Sequence, residues 1–453
     1  MLIRFFVENF MSFKDRIEFS MYPGRSTKLA HHINKESNPK YFSTLKTGLI
    51  YGGNASGKSN FVKALAFAQN MVKQGVGKGK AIPLKPFKLE GESLKKPSRF
   101  EFEFSYGGRA YAYGFVLSYV HVEEEWLYDI DKNNERSIFT RKTHKDGLVE
   151  VKIEGLQIEK QSLHRISYIA LDTLPNELFL RAFNNRNIDQ LQGVEALKGT
   201  YRWITKKVRI IFPESQYLGM MMNLEKNRNF HHIYTHFLAF FNLGIQKLKV
   251  KEVDFMSLGV DIPPRIKEDI IGNLEVGQTA FVTDNKEVRY NISRTMEGIR
   301  SIKLITIHQD TNNQDVEFEV CEESDGTQRI LDLIPALIDL ATEDNVLIID
   351  ELDRSLHPKL VSRLLQLCLN IEAPMIGQLI ATTHDDNLLD YSLLRRDEVW
   401  FVQKSRGGAT RMYSLEEFKP RNDEIPRTRY LHGRYGGINT FISANLRDIV
   451  GTN

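Results

Sequence analysis

The residues Gly52-Gly53-Asn54-Ala55-Ser56-Gly57-Lys58-Ser59 carry the types and spacing of a phosphate-binding loop, G-x-x-x-x-G-K-[ST]. They follow an apolar run, Thr47 to Tyr51, and open a segment, Asn60 to Val72, whose apolar residues recur at helical spacing. Strand, tight glycine turn and helix N-terminus are the context such a loop needs. The glycines let successive backbone N–H groups converge on phosphate oxygens, and the helix dipole adds positive potential there. The expected binding set is Gly52, Gly53, Asn54, Ala55, Ser56, Gly57, Lys58, Ser59 and Asn60. Lys58 is placed to reach the β- and γ-phosphates of ATP, and the Ser59 hydroxyl to enter the shell of Mg²⁺.

Three further groups fit the same chemistry. Val346-Leu347-Ile348-Ile349-Asp350-Glu351 is four apolar strand formers ending in two acids. Such a strand, buried on both faces, is expected beside the phosphate-loop strand in a parallel sheet. Asp350 then holds the Mg²⁺ shell and Glu351 orients or polarises the attacking water. The plainer alternative, an apolar strand that happens to end in two acids, loses ground beside the first motif. Asp353, Ser355 and His357 follow directly. Ala381-Thr382-Thr383-His384-Asp385 ends another buried strand, and a histidine at that end of an α/β sheet lies in the ligand crevice. There His384 can donate to a γ-phosphate oxygen.

The third group is Glu323-Ser324-Asp325-Gly326-Thr327-Gln328-Arg329, a polar glycine-containing turn before a helical stretch and thus another anion site. One site already has its phosphate loop. A second helix N-terminus therefore suggests a two-fold arrangement in which each subunit offers this turn to the nucleotide held by the other. His231, His232 and His236 include an i, i+4 pair without the Glu of H-E-x-x-H, and are expected to be structural or surface residues.

The elements that must position these groups read as an α/β chain with a large antiparallel part. Leu2 to Phe10 and Arg16 to Met21 predict a hairpin. Gly75 to Lys80 reads as a basic, solvated loop, with DNA contact as the alternative. From Phe100 to Ile153 the period is two, broken by turns such as Gly107-Gly108, which predicts an antiparallel meander. Gln157 to Leu248 is helical in pattern, with Met and aromatic clusters at Leu218 to Met222 and Phe237 to Phe241. Strand patterns return at Thr279 to Thr283, Val288 to Ile292, Ile302 to His308 and Val316 to Val320, and the last third alternates strand and helix. The expected division is a first lobe at 1–156, a mainly helical insertion at 157–278 and a second lobe at 279–453.

Bulk properties set the class. The chain has 453 residues, 42% hydrophobic and 26% charged, with a net charge of +3, which is ordinary for a soluble globular protein and gives no dominant nucleic-acid or membrane surface. Its two cysteines, Cys321 and Cys368, have no metal-ligand spacing and fit a reducing compartment. Arg4 and Glu8 interrupt the first apolar run, unlike a signal peptide, and no run has the length of a membrane span. A cytoplasmic protein is expected.

The order of phosphate loop, signature turn, Asp-Glu strand, D-loop and switch histidine resembles the ABC-type ATPases of the SMC, RecF and OLD branch. More closely, SDGTQR, DELDRSLHP, TTHD, LLRRDEVWF and YLHGRYGGI resemble the bacterial AAA/ABC-like ATPases of phage-defence and abortive-infection operons, of the Rlo, AbiL and PARIS type. The resemblance runs from Met1 to about Ile438. It implies an ABC-type head, a head-to-tail dimer with two ATP molecules at the interface, and a separately encoded effector such as a nuclease. It assigns Lys58 and Ser59 to phosphates and Mg²⁺, Asp350 to the Mg²⁺ shell, Glu351 to the water, His384 to the γ-phosphate, and Ser324 and Gly326 to the partner's ATP. Two departures stand: the signature turn has Asp325-Gly326 in place of a double glycine, and no glutamine between Gly75 and Phe100 takes the Q-loop role.

Two other readings remain beside an effector-controlling ATPase: a RecF-like repair ATPase that clamps DNA, and an ATP-dependent assembly scaffold with little turnover. A transporter subunit needs a membrane partner and lacks such an insertion. A self-contained OLD nuclease needs a Toprim domain, which the short stretch after Gly436 is not expected to hold.

Overall fold

The computed structural model describes residues 1–438 other than 37, 39, 157, 159, 187, 189, 218, 219, 227, 256–261, 422 and 423. The chain forms two compact units, one of Met1–Pro213, Leu340–Asp353 and Ser362 onward, the other of Glu214–Asp339 and Arg354–Val361. No helix among the described residues is long and apolar enough to cross a membrane.

The first unit contains two sheets. One is antiparallel with seven strands, in the order Val149–Ile153, Glu135–Thr143, Val122–Ile130, Arg109–Leu117, Ser98–Tyr106, Leu2–Glu8 and Ile17–Ser20. Gly107 and Gly108 close its central hairpin with φ of 61° and 74°, the pair of left-handed residues that a two-residue turn requires and that glycine supplies without steric cost.

The other sheet has six strands, in the order Val208–Ile211, Val346–Ile349, Gln378–Thr383, Thr47–Tyr51, Val399–Lys404 and Thr410–Ser414. All pairings are parallel except the last. Every residue of Thr47–Tyr51, Val346–Ile349 and Gln378–Thr383 is buried, as parallel strands covered on both faces must be.

The helix Lys58–Lys73 buries Phe61, Val62, Leu65, Ala68 and Val72. The Phe61 ring stands edge-on to Phe5 at 5.8 Å and to Phe19 at 5.1 Å, and Phe19 lies 5.1 Å from Trp400. Aromatic contacts of this kind are worth about 0.5–1.5 kcal/mol each beyond their buried area. They tie the helix that follows the phosphate loop to both sheets. Gln378, fully buried, ties the sheets together with hydrogen bonds: it accepts the N–H of Leu2 at 2.8 Å and donates to the carbonyls of Leu2 at 3.0 Å and Leu45 at 2.7 Å.

Two expectations are corrected. The acidic strand Val346–Ile349 does not neighbour the phosphate-loop strand; Gln378–Thr383 lies between them. The crossover helix Pro358–Cys368 delivers the chain to the next position in the sheet, and a strand with all six residues buried needs ladder partners on both sides. Val208–Ile211, inside the stretch expected to be helical, is instead the edge strand, paired from Val208↔Val346 to Ile211↔Ile349.

The second unit has its own antiparallel sheet. Gly298–Gln309 pairs with Lys247–Val253, Arg289–Thr295 and Asp315–Glu319, and Thr279–Thr283 pairs with Arg289–Thr295. Helices Met220–Lys226, Arg228–Phe241 and Pro264–Asn273 belong to it. Met220, Met221 and Phe241 are buried, while Leu218 of that cluster lies outside the described residues, as does Gln157. The strands between Thr279 and Glu319 thus belong with the helices before them, and helices Lys160–Asp172, Phe179–Asn184 and Glu195–Arg202 belong to the first unit. That differs from the expected division at 156/157 and 278/279.

Candidate functional site

Gly52 to Ser59 joins the strand Thr47–Tyr51 to the helix Lys58–Lys73. Gly57 caps the helix at φ 117°, a conformation that side chains rarely adopt, and a Cβ there would come within 2.4 Å of Thr410 Oγ1. Thr410 braces the loop from outside. Its hydroxyl lies 2.8 Å from the Ser56 carbonyl and 2.8 Å from Ser12 Oγ, and Asn60 Nδ2 donates to the same Ser12 oxygen at 2.8 Å. Asn60, expected in the binding set, therefore has its side-chain amide committed to this brace. Gly53 donates its N–H to the Gly437 carbonyl, so part of the YLHGRYGGI motif closes over the start of the loop.

The catalytic candidates converge on this loop. A cavity of about 420 Å³ is lined by residues 53–60 together with Glu351, His384 and Lys404, a size typical of a small-ligand site. Ser59 Oγ lies 3.3 Å from Asp350 Oδ1, and that oxygen also accepts the Thr382 hydroxyl at 2.6 Å. The same Thr382 oxygen accepts the Glu351 N–H at 2.8 Å. Glu351 itself sits at φ 52°, a left-handed conformation that costs a non-glycine residue about 1–2 kcal/mol.

Lys58 Nζ donates to the Gly52 carbonyl at 2.6 Å and the Gly53 carbonyl at 3.3 Å, and lies 3.4 Å from His384 Nδ1. Burial pulls the Lys58 ammonium down to a pKa of about 8, against the opposing pull of Asp353, Asp350 and Glu351. Burial, and then the nearby Lys58 charge, also lower the pKa of His384, which keeps the imidazole neutral at neutral pH. An ammonium can only donate, so Nδ1 of the neutral ring accepts and the proton resides on Nε2. The Asp353 carboxylate accepts the backbone N–H of His384 at 3.1 and 3.2 Å, fixing the turn that carries the histidine.

These groups fit a magnesium-bound nucleoside triphosphate. Ser56 Oγ is buried without a hydrogen-bond partner, and at Gly52 a Cβ would lie 2.5 Å from it, so the loop closes only around glycine. Among the described residues no group of three or more His, Cys, Asp or Glu side chains is arranged to hold a metal ion. Mg²⁺ is ordinarily held by one or two carboxylates plus phosphate oxygens, and Ser59 with Asp350 suits that mode.

Ser324 and Gly326 lie in the second unit. The Ser324 hydroxyl accepts the Thr327 N–H at 3.2 Å and so caps the helix Asp325–Thr342. A Cβ at Gly326 would meet the Ser355 carbonyl at 2.6 Å, so glycine lets this turn approach the backbone at Ser355. His231, His232 and His236 are exposed, and His232 and His236 face each other with Nε2 atoms 3.3 Å apart.

Sequence reasoning did not assign roles to Thr382, Thr410, Ser12 or Lys404. None belongs to a spaced motif: Thr382, Lys404 and Thr410 are placed by strand pairing and Ser12 by a turn, although Thr382 stood in the quoted TTHD stretch.

Residues 49–390 match the family model described as "AAA domain, putative AbiEii toxin, Type IV TA system". No curated protein matches the chain significantly. Among solved structures, the chain is similar to an SMC head domain from Thermotoga maritima, at 11% identity and TM-score 0.36, covering 91% of this chain and 98% of that one. An SMC head bound to the C-winged helix domain of ScpA matches at 10% identity and TM-score 0.42, covering 92% and 99%. An SMC head with an extended coiled coil, bound to the C-terminal domain of ScpA derived from Pyrococcus furiosus, matches at 10% identity and TM-score 0.36, covering 92% and 99%. The family model spans most of the chain, from the phosphate-loop strand to just past His384, and the chain belongs to this AAA-domain family.

Proposed function

We propose that the chain is a Mg²⁺-dependent ATP hydrolase that works as a head-to-tail dimer, and that its nucleotide cycle holds and then releases a separately encoded effector, a nuclease, in bacterial anti-phage defence. The observation that carries the hydrolase reading is the convergence of Lys58, Ser59, Glu351 and His384 at one cavity, with Asp350 3.3 Å from Ser59 Oγ. Lys58 and the loop N–H groups bind phosphate oxygens. Ser59 and Asp350 hold the metal, which supplies Lewis-acid polarisation of a phosphoryl oxygen when bound. Glu351 orients the attacking water, and His384 donates its Nε2 proton to a phosphate oxygen. Ser324 and Gly326 close over the nucleotide of the other subunit, a role that the glycine-dependent turn supports. The effector reading is supported by the family description, which names a toxin and a toxin–antitoxin system.

Purification of the tagged protein from its host with ATP present, followed by mass spectrometry of what co-elutes, tests the effector. A stoichiometric nuclease is the expected result. Recovery alone, or with DNA instead, removes the effector and leaves a DNA clamp or a scaffold. For the dimer, a Ser324→Arg chain mixed with a Lys58→Ala chain is expected to regain one working site. A verified heterodimer with no turnover would remove the shared sites.

A further inference from the structure

We propose that Lys404 is a second cationic contact for the phosphate chain of the nucleotide, reaching it from the strand that flanks the phosphate loop. The inference rests on the nucleotide-site reading above and adds a residue that no spaced motif marks. The strand Val399–Lys404 pairs in parallel with the phosphate-loop strand at Val399↔Leu49, Trp400↔Ile50 and Phe401↔Tyr51. It continues past the end of that register, so Val402 to Lys404 run alongside the loop itself. Val402 faces the loop: a Cβ at Gly52 would meet its side chain at 2.8 Å. Side chains alternate along a strand, so Lys404 points to the same face as Val402.

The cross-strand partner of Lys404 is Thr410, the residue whose hydroxyl holds the Ser56 carbonyl. Lys404 thus stands where the brace meets the loop, and it lines the cavity with residues 53–60. Its side chain is exposed, and among the described residues no carboxylate pairs with it. Lys58, the other lysine lining the cavity, also donates to the carbonyls of Gly52 and Gly53, so its charge is shared between the loop and the phosphates. A flexible ammonium beside a cradle of backbone N–H groups is a point-charge phosphate binder.

The test measures binding of ATP, ADP and adenosine to the full chain and to Lys404→Ala, Lys404→Arg and Lys58→Ala at two salt concentrations. Loss of one charge-assisted contact corresponds to about 10-fold weaker ATP binding. That loss is expected in Lys404→Ala, smaller at high salt, smaller for ADP, absent for adenosine, and recovered in Lys404→Arg. Unchanged ATP affinity in Lys404→Ala, with Lys58→Ala abolishing binding, overturns the role of Lys404 and leaves the nucleotide site standing. An equal loss for adenosine overturns it as well, since the contact is then not with phosphate. If Lys58→Ala binds ATP normally, the nucleotide-site reading itself fails.

Discussion

The Thr382 hydroxyl, 2.6 Å from Asp350 Oδ1, serves both acids of the site, because the same oxygen accepts the Glu351 N–H at 2.8 Å. Asp350 is buried and needs its donors; Glu351 occupies a left-handed backbone conformation that something must hold. One side chain on the neighbouring strand does both. Thr382→Val keeps the shape and removes the hydroxyl. Leaving one buried acceptor short costs about 1–3 kcal/mol, which corresponds to roughly 10- to 100-fold in turnover. ATP hydrolysis is expected to fall by that factor, with metal-free nucleotide affinity changed less than about twofold and with Thr382→Ser restoring turnover. Full turnover in the valine variant would remove Thr382 as a positioning residue.

Lys58 and Glu351 are assigned to different steps, so their variants are expected to separate. Lys58→Ala removes the cation that meets the phosphates, and equilibrium binding of ATP should drop below detection. Glu351→Gln keeps the shape of the side chain and removes its basicity; it should bind ATP as tightly as the native chain and turn it over at least about 100-fold more slowly. Nucleotide-binding assays beside single-turnover hydrolysis decide the matter. Equal loss of affinity in both variants contradicts the assignment.

The depressed pKa of Lys58, about 8 in the free protein, gives nucleotide binding a definite pH dependence. Below that pH the ammonium is already charged and binding takes up no proton. Above it the free protein holds a neutral amine, and a bound polyphosphate favours the charged form, so binding must take up a proton. Affinity is therefore expected to be level from about pH 7 to 8 and to fall by up to about tenfold per pH unit above 8. Calorimetry at pH 9 in buffers of different ionisation enthalpy should show uptake approaching one proton. Affinity that is flat to pH 9.5 would mean that Lys58 is not the group meeting the phosphates.

The motifs were legible because each is short and each is chemically explicit. Gly53 to Ser59, Glu351 and His384 line one cavity, and Asp350 lies beside it, 3.3 Å from Ser59 Oγ. The antiparallel meander was legible too, since period-two runs between glycine turns have few other solutions. The neighbours of the acidic strand were less accessible. Four apolar residues at 346–349 say that the strand is buried, but not which strand lies beside it. Val208–Ile211 is only four residues long and follows a helix and its π-helical end without a break, so a helical pattern ran through it. Thr382 and Lys404 have no signal of their own: their partners are defined by pairing between strands remote in sequence. The domain split differs because the second unit takes in the strands between Thr279 and Glu319 and also the short segment Arg354–Val361, and no shift of composition marks those crossings.

The strand order also governs when the phosphate loop can be completed during synthesis. Both ladder neighbours of Thr47–Tyr51 come from late in the chain, Gln378–Thr383 on one side and Val399–Lys404 on the other, and the Gln378 bond to Leu45 spans 333 residues. Contacts so distant form last, because loop closure must precede them. A nascent chain that has already emerged through Ser59 therefore carries the intact motif on a strand with two open edges. On the nucleotide-site reading, ribosome-bound intermediates and fragments ending before Gln378 are expected to bind no nucleotide despite holding every residue of the loop.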